Sequence, residues 1–581
     1  MTYDFMFSRA LELHQDGRFA EAEQLYRQIL ETAPKNPDIL NLLGLVAQAR
    51  GVHNEAVTLF YKAIKISPDH APYRFNLALS LAELGKPHEA IEAYQKMLAL
   101  TPDVKEAWYN LGQLHKTLGN FQTAASCFHK AAALDKTYAE PLVGLALLSD
   151  APEKDLNALL FLFPDCAEAH YQLSVICLEQ NRYKEALAHA RSALELAPES
   201  TDACLAAAFS CLKLKDDASA RDYFAKTYAI NPKSVPALAG LAAIASRERE
   251  FDKAEALFVK ALELAPNNTE ALINYADMLY QTGRLLEAVE TSRKAVLLAP
   301  DNPAVSNNLG IICKDLKDFD EALGLFFNAY KKSPQTEEFS VNIYETLLLL
   351  HREKPQEAEQ IAANWLKDSP ENIFAQHLSA AFNGQSDNNG DSLFSQKLFD
   401  NFASSYEQTL KKLNYRLPEI IKECIGTPRG LVWDLGCGTG LIAEQLKSEE
   451  ISFIGVDISA AMLDIARSKN LYKELINSDI FDFLNNPPAP PPALIIAADV
   501  FCYMGSLEGV ISRCAPCPLC FSVEKSEKDG FSITTDGRYK HNKDYVNNLL
   551  TKSGYAEITI KEAVIRLEDG KPVAGFVFMA R

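Results

Sequence analysis

Prolines recur at a fixed interval along much of this 581-residue chain: Pro34, Pro68 and Pro102, then Pro164, Pro198, Pro232, Pro266, Pro300 and Pro334, with neighbours in each run 34 residues apart. Proline cannot continue a helix, because it lacks the amide donor and its ring clashes with the preceding turn, so each one closes a unit. Between the prolines the same residue sizes return. Gly44, Ala78, Gly112, Ala208, Ala242, Ala276 and Gly310 share one offset, and Ala22, Ala56, Ala90, Ala124, Ala186, Ala220, Ala254, Ala288 and Ala322 share another. Large residues follow the second set: Tyr26, Phe60, Tyr94, Phe128, Phe224, Phe258 and Phe326. Small residues at two facing points and an aromatic beside them predict a helix pair per unit, with the aromatic filling the groove against the next unit. Units of this kind bury a core only by stacking, which predicts an all-α solenoid.

The 34-residue period, with Trp108, Leu111, Gly112, Gly119, Phe121, Ala124, Phe128 and Ala131 in register inside one unit, resembles the tetratricopeptide repeat. The resemblance covers about ten to eleven units over residues 1–382. One unit, near 137–164, is about six residues short and contains Pro141 and Pro152, which reads as a degenerate repeat. Residues 371–382 read as a closing helix. Tetratricopeptide proteins bind peptides or protein partners on their concave face, and the resemblance implies the same here. Asn76, Asn110, Asn274 and Asn308 occupy one position of that face. Side-chain amides can pair with both the N–H and the C=O of an extended peptide, an arrangement that resembles the asparagine ladder of the O-linked N-acetylglucosamine transferase repeats. The same asparagine also belongs to the repeat consensus, so a packing role stands beside the binding one.

Charge is unevenly placed. Residues 395–581 hold 21 Lys and Arg against 24 Asp and Glu, whereas residues 1–394 hold 37 against 53. An acidic array repels nucleic-acid phosphates and steers basic partners toward itself, although soluble proteins often carry such a balance. No apolar run approaches the ~20 residues of a membrane span, and the start MTYDFMFSRALEL lacks the basic and apolar regions of a signal peptide. The expectation is a cytoplasmic protein with no nucleic-acid or membrane partner. Twelve scattered cysteines fit free thiols. Cys514, Cys517 and Cys520 offer three ligands where zinc usually takes four, so they read as free thiols in a turn and no metal is expected.

Residues 383–393, NGQSDNNGDSL, are polar and without apolar period, the composition of a linker. A second domain, 394–581, follows. Its central feature is LVWDLGCGTG: an apolar strand, Asp434, then Gly436, Gly438 and Gly440 ahead of a helix. The glycines allow a tight turn and close approach of a ligand to the backbone. The spacing is DxGxGxG, unlike the GxGxxG of dinucleotide enzymes. A second strand ends at Asp457, placed to accept from ribose hydroxyls, and is followed by Ile458 and Met462 for an adenine face. A third region supplies Asp479 for the adenine amino group and Ile480 for the ring. A fourth apolar strand ends at Asp499, on the carboxyl edge of the sheet where ligands bind.

Together these residues resemble the class I S-adenosylmethionine-dependent methyltransferases. The implied fold is α + α/β: an N-terminal all-α tetratricopeptide superhelix followed by a Rossmann-like class I methyltransferase domain. The implied cofactor is S-adenosyl-L-methionine, with Asp434 suited to its cationic aminoacyl end and Tyr406 in the segment that resembles the lid of this family. FDNFASSYEQTLKKLNYRLPEII, DVFCYMGSL and GRYKH further resemble a bacterial group of methyltransferases that carry tetratricopeptide repeats.

Methyl transfer is an in-line displacement, so the protein mainly aligns the nucleophile and at times removes a proton. His541, the sole histidine after residue 394, and Tyr503, after the fourth strand, are the catalytic candidates, each with an ordinary packing role as its alternative. His541 is expected in a substrate loop. ADVF in place of an Asn-Pro-Pro-Tyr motif argues against adenine-N6 and glutamine methylation, and Asp499 alone lacks the companion ligands of metal-dependent O-methyltransferases. Pro487–Pro492 reads as a stiff loop. Three functions remain open: a methyltransferase whose repeats bind a protein or peptide partner, a repeat scaffold with an inactive methyltransferase fold, and a small-molecule methyltransferase whose repeats mediate assembly. A C-terminal piece beginning near Asp391 is expected to fold and bind cofactor unaided.

Overall fold

The computed structural model describes residues 3–384, 392–487, 490–568 and 570–581. By its contacts the chain forms two compact units, Met1–Pro266 and Asn267–Arg581.

The first unit consists of helix pairs, from Tyr3–Gln15 with Phe19–Thr32 and Pro37–Ala49 with His53–Ile66 through to Val235–Arg247 with Phe251–Leu264. Some of the starts are capped by a side chain. Asn36 accepts from the N–H groups of Asp38 and Ile39 with Pro37 in the first turn, and Ser200 and Ser234 accept from Ala203 and Ala237. The turn inside each full-length pair has a left-handed residue, supplied by glycines such as Gly51 (φ 74°) and Gly119 (φ 77°), and by Asn181, Lys215 and Arg249 where glycine is missing. The following N–H then closes the helix end, as from Val52 to the Ala47 carbonyl at 2.8 Å.

Packing explains the small positions. A Cβ on Gly44 would stand 2.6 Å from Phe60 Cε1, and one on Gly240 2.4 Å from Phe224 Cζ. Phe128 touches both Gly112 of its own pair and Gly144 of the next, so this aromatic locks two units together. The unit near 137–164 is a shortened pair, Glu140–Ala146 and Pro152–Leu162, which leaves Phe161 88% exposed.

The second unit begins with further pairs, Thr269–Gln281 with Leu285–Leu298 and Pro303–Asp315 with Phe319–Lys332. The next helix, Glu337–Glu353, is longer at 17 residues and buries Val341, Ile343, Tyr344, Leu347 and Leu350. Helices Pro355–Asp368 and Ile373–Asn383 follow. Three helices, Ser392–Phe402, Tyr406–Lys412 and Leu417–Ile425, then lead into a nine-stranded sheet.

Its strands are β1 (Gly430–Leu435), β2 (Ile451–Asp457), β3 (Tyr472–Asn477), β4 (Leu494–Ala497), β5 (Leu519–Ser526), β6 (Phe531–Ile533), β7 (Tyr539–Asn542), β8 (Ile558–Glu568) and β9 (Lys571–Ala580). β3-β2-β1-β4-β5 run parallel. β9 lies antiparallel on β5 and carries β8 outside it. β7 takes the other edge of β5, at Glu524–Ser526 beyond the end of β4, and pairs with β6. The chain leaves β1 toward β2 and returns to β4 on its other side, so the loops after β1 and β4 flank the point where strand order reverses, the place where open α/β sheets bind ligands. Both faces are covered: Trp433, Ile454, Ile495 and Phe521 belong to one apolar layer, Val432, Phe453, Ile496 and Cys520 to the other.

Within this unit the last repeat helices and the sheet domain share an interface. Phe394, 2% exposed, stacks on His377 at 3.7 Å between ring centroids and meets Tyr344 and Phe374 at 5.5 Å. Lys397 pairs with Glu337 at 2.6 Å, and His377 Nε2 lies 3.0 Å from the Gly537 carbonyl. Of the expected linker 383–393, Asn383 ends a helix and Ser392 begins one, and 385–391, including Asp391, lie outside the described residues. Part of the proline-rich loop, 488–489, lies outside them too.

Candidate cofactor site

The loop after β1 holds Gly436, Gly438 and Gly440 at φ 65°, 53° and 89°. A Cβ on Gly436 would come within 2.4 Å of Val500, so glycine alone lets this loop lie against the segment after β4. Asp457, at the end of β2, reaches the same loop: its Oδ2 accepts from Gly438 N–H at 2.8 Å and its Oδ1 from Ser459 N–H at 2.9 Å. Burial raises its pKa, and these two donors act against that shift. Ser459 caps helix Ala460–Ser468 by accepting from Met462 N–H, and Asp479 caps Ile480–Asn485 by accepting from Phe481 N–H at 2.7 Å.

One cavity joins these parts. Gly436, Gly438, Asp457, Ile458, Met462, Asp479, Ile480, Asp499 and Tyr406 all line it. Backbone at the glycine loop, a carboxylate beside it and an apolar slot of Ile458, Met462 and Ile480 fit an aminoacyl group, a ribose and an adenine in that order.

Two of the sequence-derived cofactor residues lie elsewhere. Asp434 is 1% exposed and accepts from Tyr472 OH at 2.7 Å; burial pushes its carboxyl up to about 7, and it supports the loop from behind instead of facing a ligand. Gly440 caps helix Leu441–Leu446 against the Tyr472 ring, away from the cavity.

The reading of local motifs missed the cover of this cavity. Ser395 and Phe399 of helix Ser392–Phe402 line it, with Phe481, Val500 and Met504. That helix is tied down at both ends, by Ser392 Oγ to Asp479 Oδ2 at 2.7 Å and by Ser459 Oγ to Asp400 Oδ1 at 2.6 Å. Only the resemblance of this segment to a lid pointed to it, because its partners lie 59 and 87 residues away.

The catalytic candidates part company. Tyr503, in the short 3₁₀ turn Phe501–Tyr503, lines the cavity; its ring meets Phe399 at 5.0 Å, and its OH accepts from Arg538 Nη1 at 3.1 Å. His541 corrects the expectation of a substrate loop. It lies on β7, is 0% exposed, and donates from Nε2 to the Gly505 carbonyl at 2.8 Å. Its Nδ1 is buried without a partner, and burial pushes its pKa down to about 4. It holds the loop after Tyr503 and does not line the cavity.

Beneath Tyr503 is a buried charge cluster. Arg538 Nη2 reaches Asp499 Oδ1 at 2.6 Å, Arg538 Nε reaches Glu524 at 2.7 Å, and Arg566 pairs with Glu524 and Glu568 at 2.6 and 2.7 Å. Among the described residues, Asp499, Cys502 and Glu524 bring three possible metal-ligand atoms within 4.8 Å, and the arginines already bridge these carboxylates. Cys514 and Cys520 are buried free thiols and Cys517 is a half-buried one.

The asparagine row divides between the two units. In the first, Asn76 donates to Asn41 at 2.9 Å and Asn110 to Tyr94 OH at 3.1 Å, so these amides serve packing within the stack. In the second, Asn274 is half-buried and Asn308 is exposed and lines a groove with Asp277 and Tyr280.

Residues 432–516 match the family described as a methyltransferase domain. Residues 5–28, 36–103, 75–139, 153–201, 178–245 and 245–312 match families described as tetratricopeptide repeats. Over 89 residues the chain is 37% identical to methyltransferase-like protein 27 of Homo sapiens, a stretch that is 14% of this chain and 36% of that protein. Over 114 residues it is 30% identical to the 18S rRNA (guanine-N(7))-methyltransferase of Bos taurus, 17% of this chain and 41% of that one. It thus spans less than half the length of these relatives. Among solved structures, a tetratricopeptide repeat protein from Parabacteroides merdae aligns with a TM-score of 0.37 and 19% identity, over 41% of this chain and 97% of that one. The chain is a tetratricopeptide-repeat protein that carries a class I methyltransferase domain C-terminal to the repeats.

Proposed function

We propose that this protein is a methyltransferase dependent on S-adenosyl-L-methionine, which is held in the cavity under helix Ser392–Phe402, and that its repeats bind a protein or peptide partner. The observation that carries the cofactor reading is the convergence of Gly436, Gly438, Asp457, Met462, Asp479 and Ile480 on one cavity from the ends of three strands, β1, β2 and β3. The bound group supplies an electrophilic methyl carbon. The chain's own contribution is placement: Asp457 receives the ribose hydroxyls, Ile458, Met462 and Ile480 hold the adenine, and Tyr406, Phe399 and Tyr503 exclude water from the reacting end. The exposed Asn308 and the acidic balance of residues 1–394 support a basic peptide partner, and the absence of any helix long and apolar enough to cross a membrane among the described residues is compatible with a cytoplasmic setting.

Titration calorimetry on the full chain tests the cofactor reading. Asp457→Ala removes the ribose acceptor and lowers affinity for S-adenosylmethionine by about 1.5–3 kcal/mol, the size of hydrogen bonds to a charged group. Equal affinity in the variant and the parent would refute the site.

A further inference from the structure

A second cavity, of about 240 Å³, adjoins the first and is not explained by cofactor binding. Four residues line both: Phe399, Tyr406, Asp499 and Tyr503. They form the doorway between the two. The far wall is built by the repeat helix Glu337–Glu353, which contributes Tyr344, Glu345 and Leu348, and the remainder is mainly apolar, with Leu398, Leu410 and Leu413.

The doorway carries one carboxylate. Asp499 sits just past β4 with a left-handed backbone (φ 55°), a strained state for a residue with a Cβ, and its side chain is 9% exposed. Its Oδ1 is engaged by Arg538, while its Oδ2 accepts no hydrogen bond from the described residues. A carboxylate oxygen left open beside both cavities offers an acceptor to a ligand donor, an N–H or O–H.

Charge narrows the choice. Glu345, Asp499, Asp536 and Glu568 face this cavity against Arg538 and Arg566; both guanidinium groups are ion-paired with Asp499, Glu524 and Glu568, with Arg538 Nε and Arg566 Nη1 buried and, among the described residues, without an aligned hydrogen bond. Lys314 offsets Glu345 from outside, and an excess of negative charge remains. Such walls repel carboxylate, phenolate and thiolate nucleophiles. An alcohol would need a strong base, and the doorway offers none: burial raises the pKa of both Tyr406 and Tyr503, and His541 lies elsewhere.

We infer that this cavity receives the methyl acceptor, that the acceptor is a primary or secondary amine on an apolar arm, and that the repeat helix Glu337–Glu353 forms part of its binding wall. The inference rests on the methyl-transfer reading above. Asp499 Oδ2 accepts from the amine N–H and orients the lone pair. That pair forms the new N–C bond as the C–S bond breaks and its electrons pass to sulfur, which becomes a neutral thioether. The ammonium form loses one proton to water beforehand, so transfer rises with pH by about tenfold per unit below the amine's own pKa of about 10.

The arm has two sources, a free amine or a lysine side chain. The test uses the full chain saturated with S-adenosylhomocysteine and calorimetry with hexylamine, hexanol, hexanoate and Nα-acetyl-lysine methylamide. Either amine binds at least about tenfold more tightly than the alcohol and the acid, and the tighter of the two identifies the source. Asp499→Asn lowers amine affinity by about tenfold or more. Leu348→Trp fills the cavity from the repeat side and abolishes amine binding while S-adenosylhomocysteine affinity stays unchanged; Leu348→Ala, which cannot overfill it, shifts preference toward a bulkier naphthylethylamine. Tighter binding of alcohol or acid overturns the inference, as does unaltered amine selectivity in both Leu348 variants. Failure of S-adenosylhomocysteine to bind at all refutes the earlier reading instead.

Discussion

In the repeats of the first unit each aromatic is enclosed by its own stack: Phe60 lies against Gly44, Phe128 between Gly112 and Gly144, Phe224 against Gly240. In the second unit Tyr344, on the longer helix Glu337–Glu353, turns to Phe394 and approaches Gly537, where a Cβ would stand 2.1 Å from its hydroxyl. The same helix-pair chemistry serves two ends. Closed on itself, it makes a stack; with its last aromatic given to a neighbouring domain, it makes the wall of a cavity.

Phe394→Ala is the strongest way to break this contrast. It leaves a void among Tyr344, Phe374 and His377, lowers the stability of the second unit by about 3–5 kcal/mol and weakens cofactor binding, because Phe394 anchors the helix that covers the cavity. Phe128→Ala has a similar cost but confines it to the first unit and leaves cofactor affinity intact. Hydrogen exchange resolved along the chain separates the two units, with calorimetry as the second readout. A Phe394 variant that binds cofactor normally would make the shared interface incidental.

Acid sharpens the contrast further. His541 titrates near 6.5 when unfolded and about 4 when folded, so from pH 6.5 down to 4 the unfolded chain takes up a proton that the folded chain refuses. Stability of the second unit present above pH 6.5 is lost across that window, by roughly 3 kcal/mol at pH 4. Asp434, raised to about 7, works in the opposite sense, gaining stability as pH falls from 7 toward 4. The informative quantity is thus the difference between the parent and His541→Gln, which keeps a donor for Gly505. That difference should shrink as pH falls through the window, and a constant difference would show that His541 titrates normally.

The smallest effect tests the turns of the first unit. Lys215 and Arg249 hold left-handed φ of 61° and 63° where other units use glycine. Lys215→Gly relieves a strain of about 1–2 kcal/mol at an entropic cost of about 0.5–1 kcal/mol, a gain of up to about 1.5 kcal/mol in denaturant unfolding. A loss would mean that the lysine side chain contributes more than its backbone costs.

The helix pairs were legible because each unit repeats its small and large positions, so one register error would break every match. The glycine loop, Asp457, Ile458, Met462 and Ile480 were legible because each closely follows the end of one of the first three strands. Three parts were not. Arg538 and Arg566 meet Asp499 only because β7 pairs with β5 and because β8, which carries Arg566, reaches it through β9, which no local pattern encodes. GRYKH reads as a polar loop, yet alternation on β7 turns Tyr539 and His541 inward. The cavity wall at Tyr344 and Leu348 comes from a helix that reads as one more repeat.

The helix Ser392–Phe402 is held by Ser392 to Asp479, by Asp400 to Ser459 and by Lys397 to Glu337, with Phe394 stacked on His377. To swing it aside, all of these must give way together, and two of them belong to the repeat helices. The residence time of whatever lies beneath is therefore governed as much by the stiffness of the last repeats as by the grip of the glycine loop.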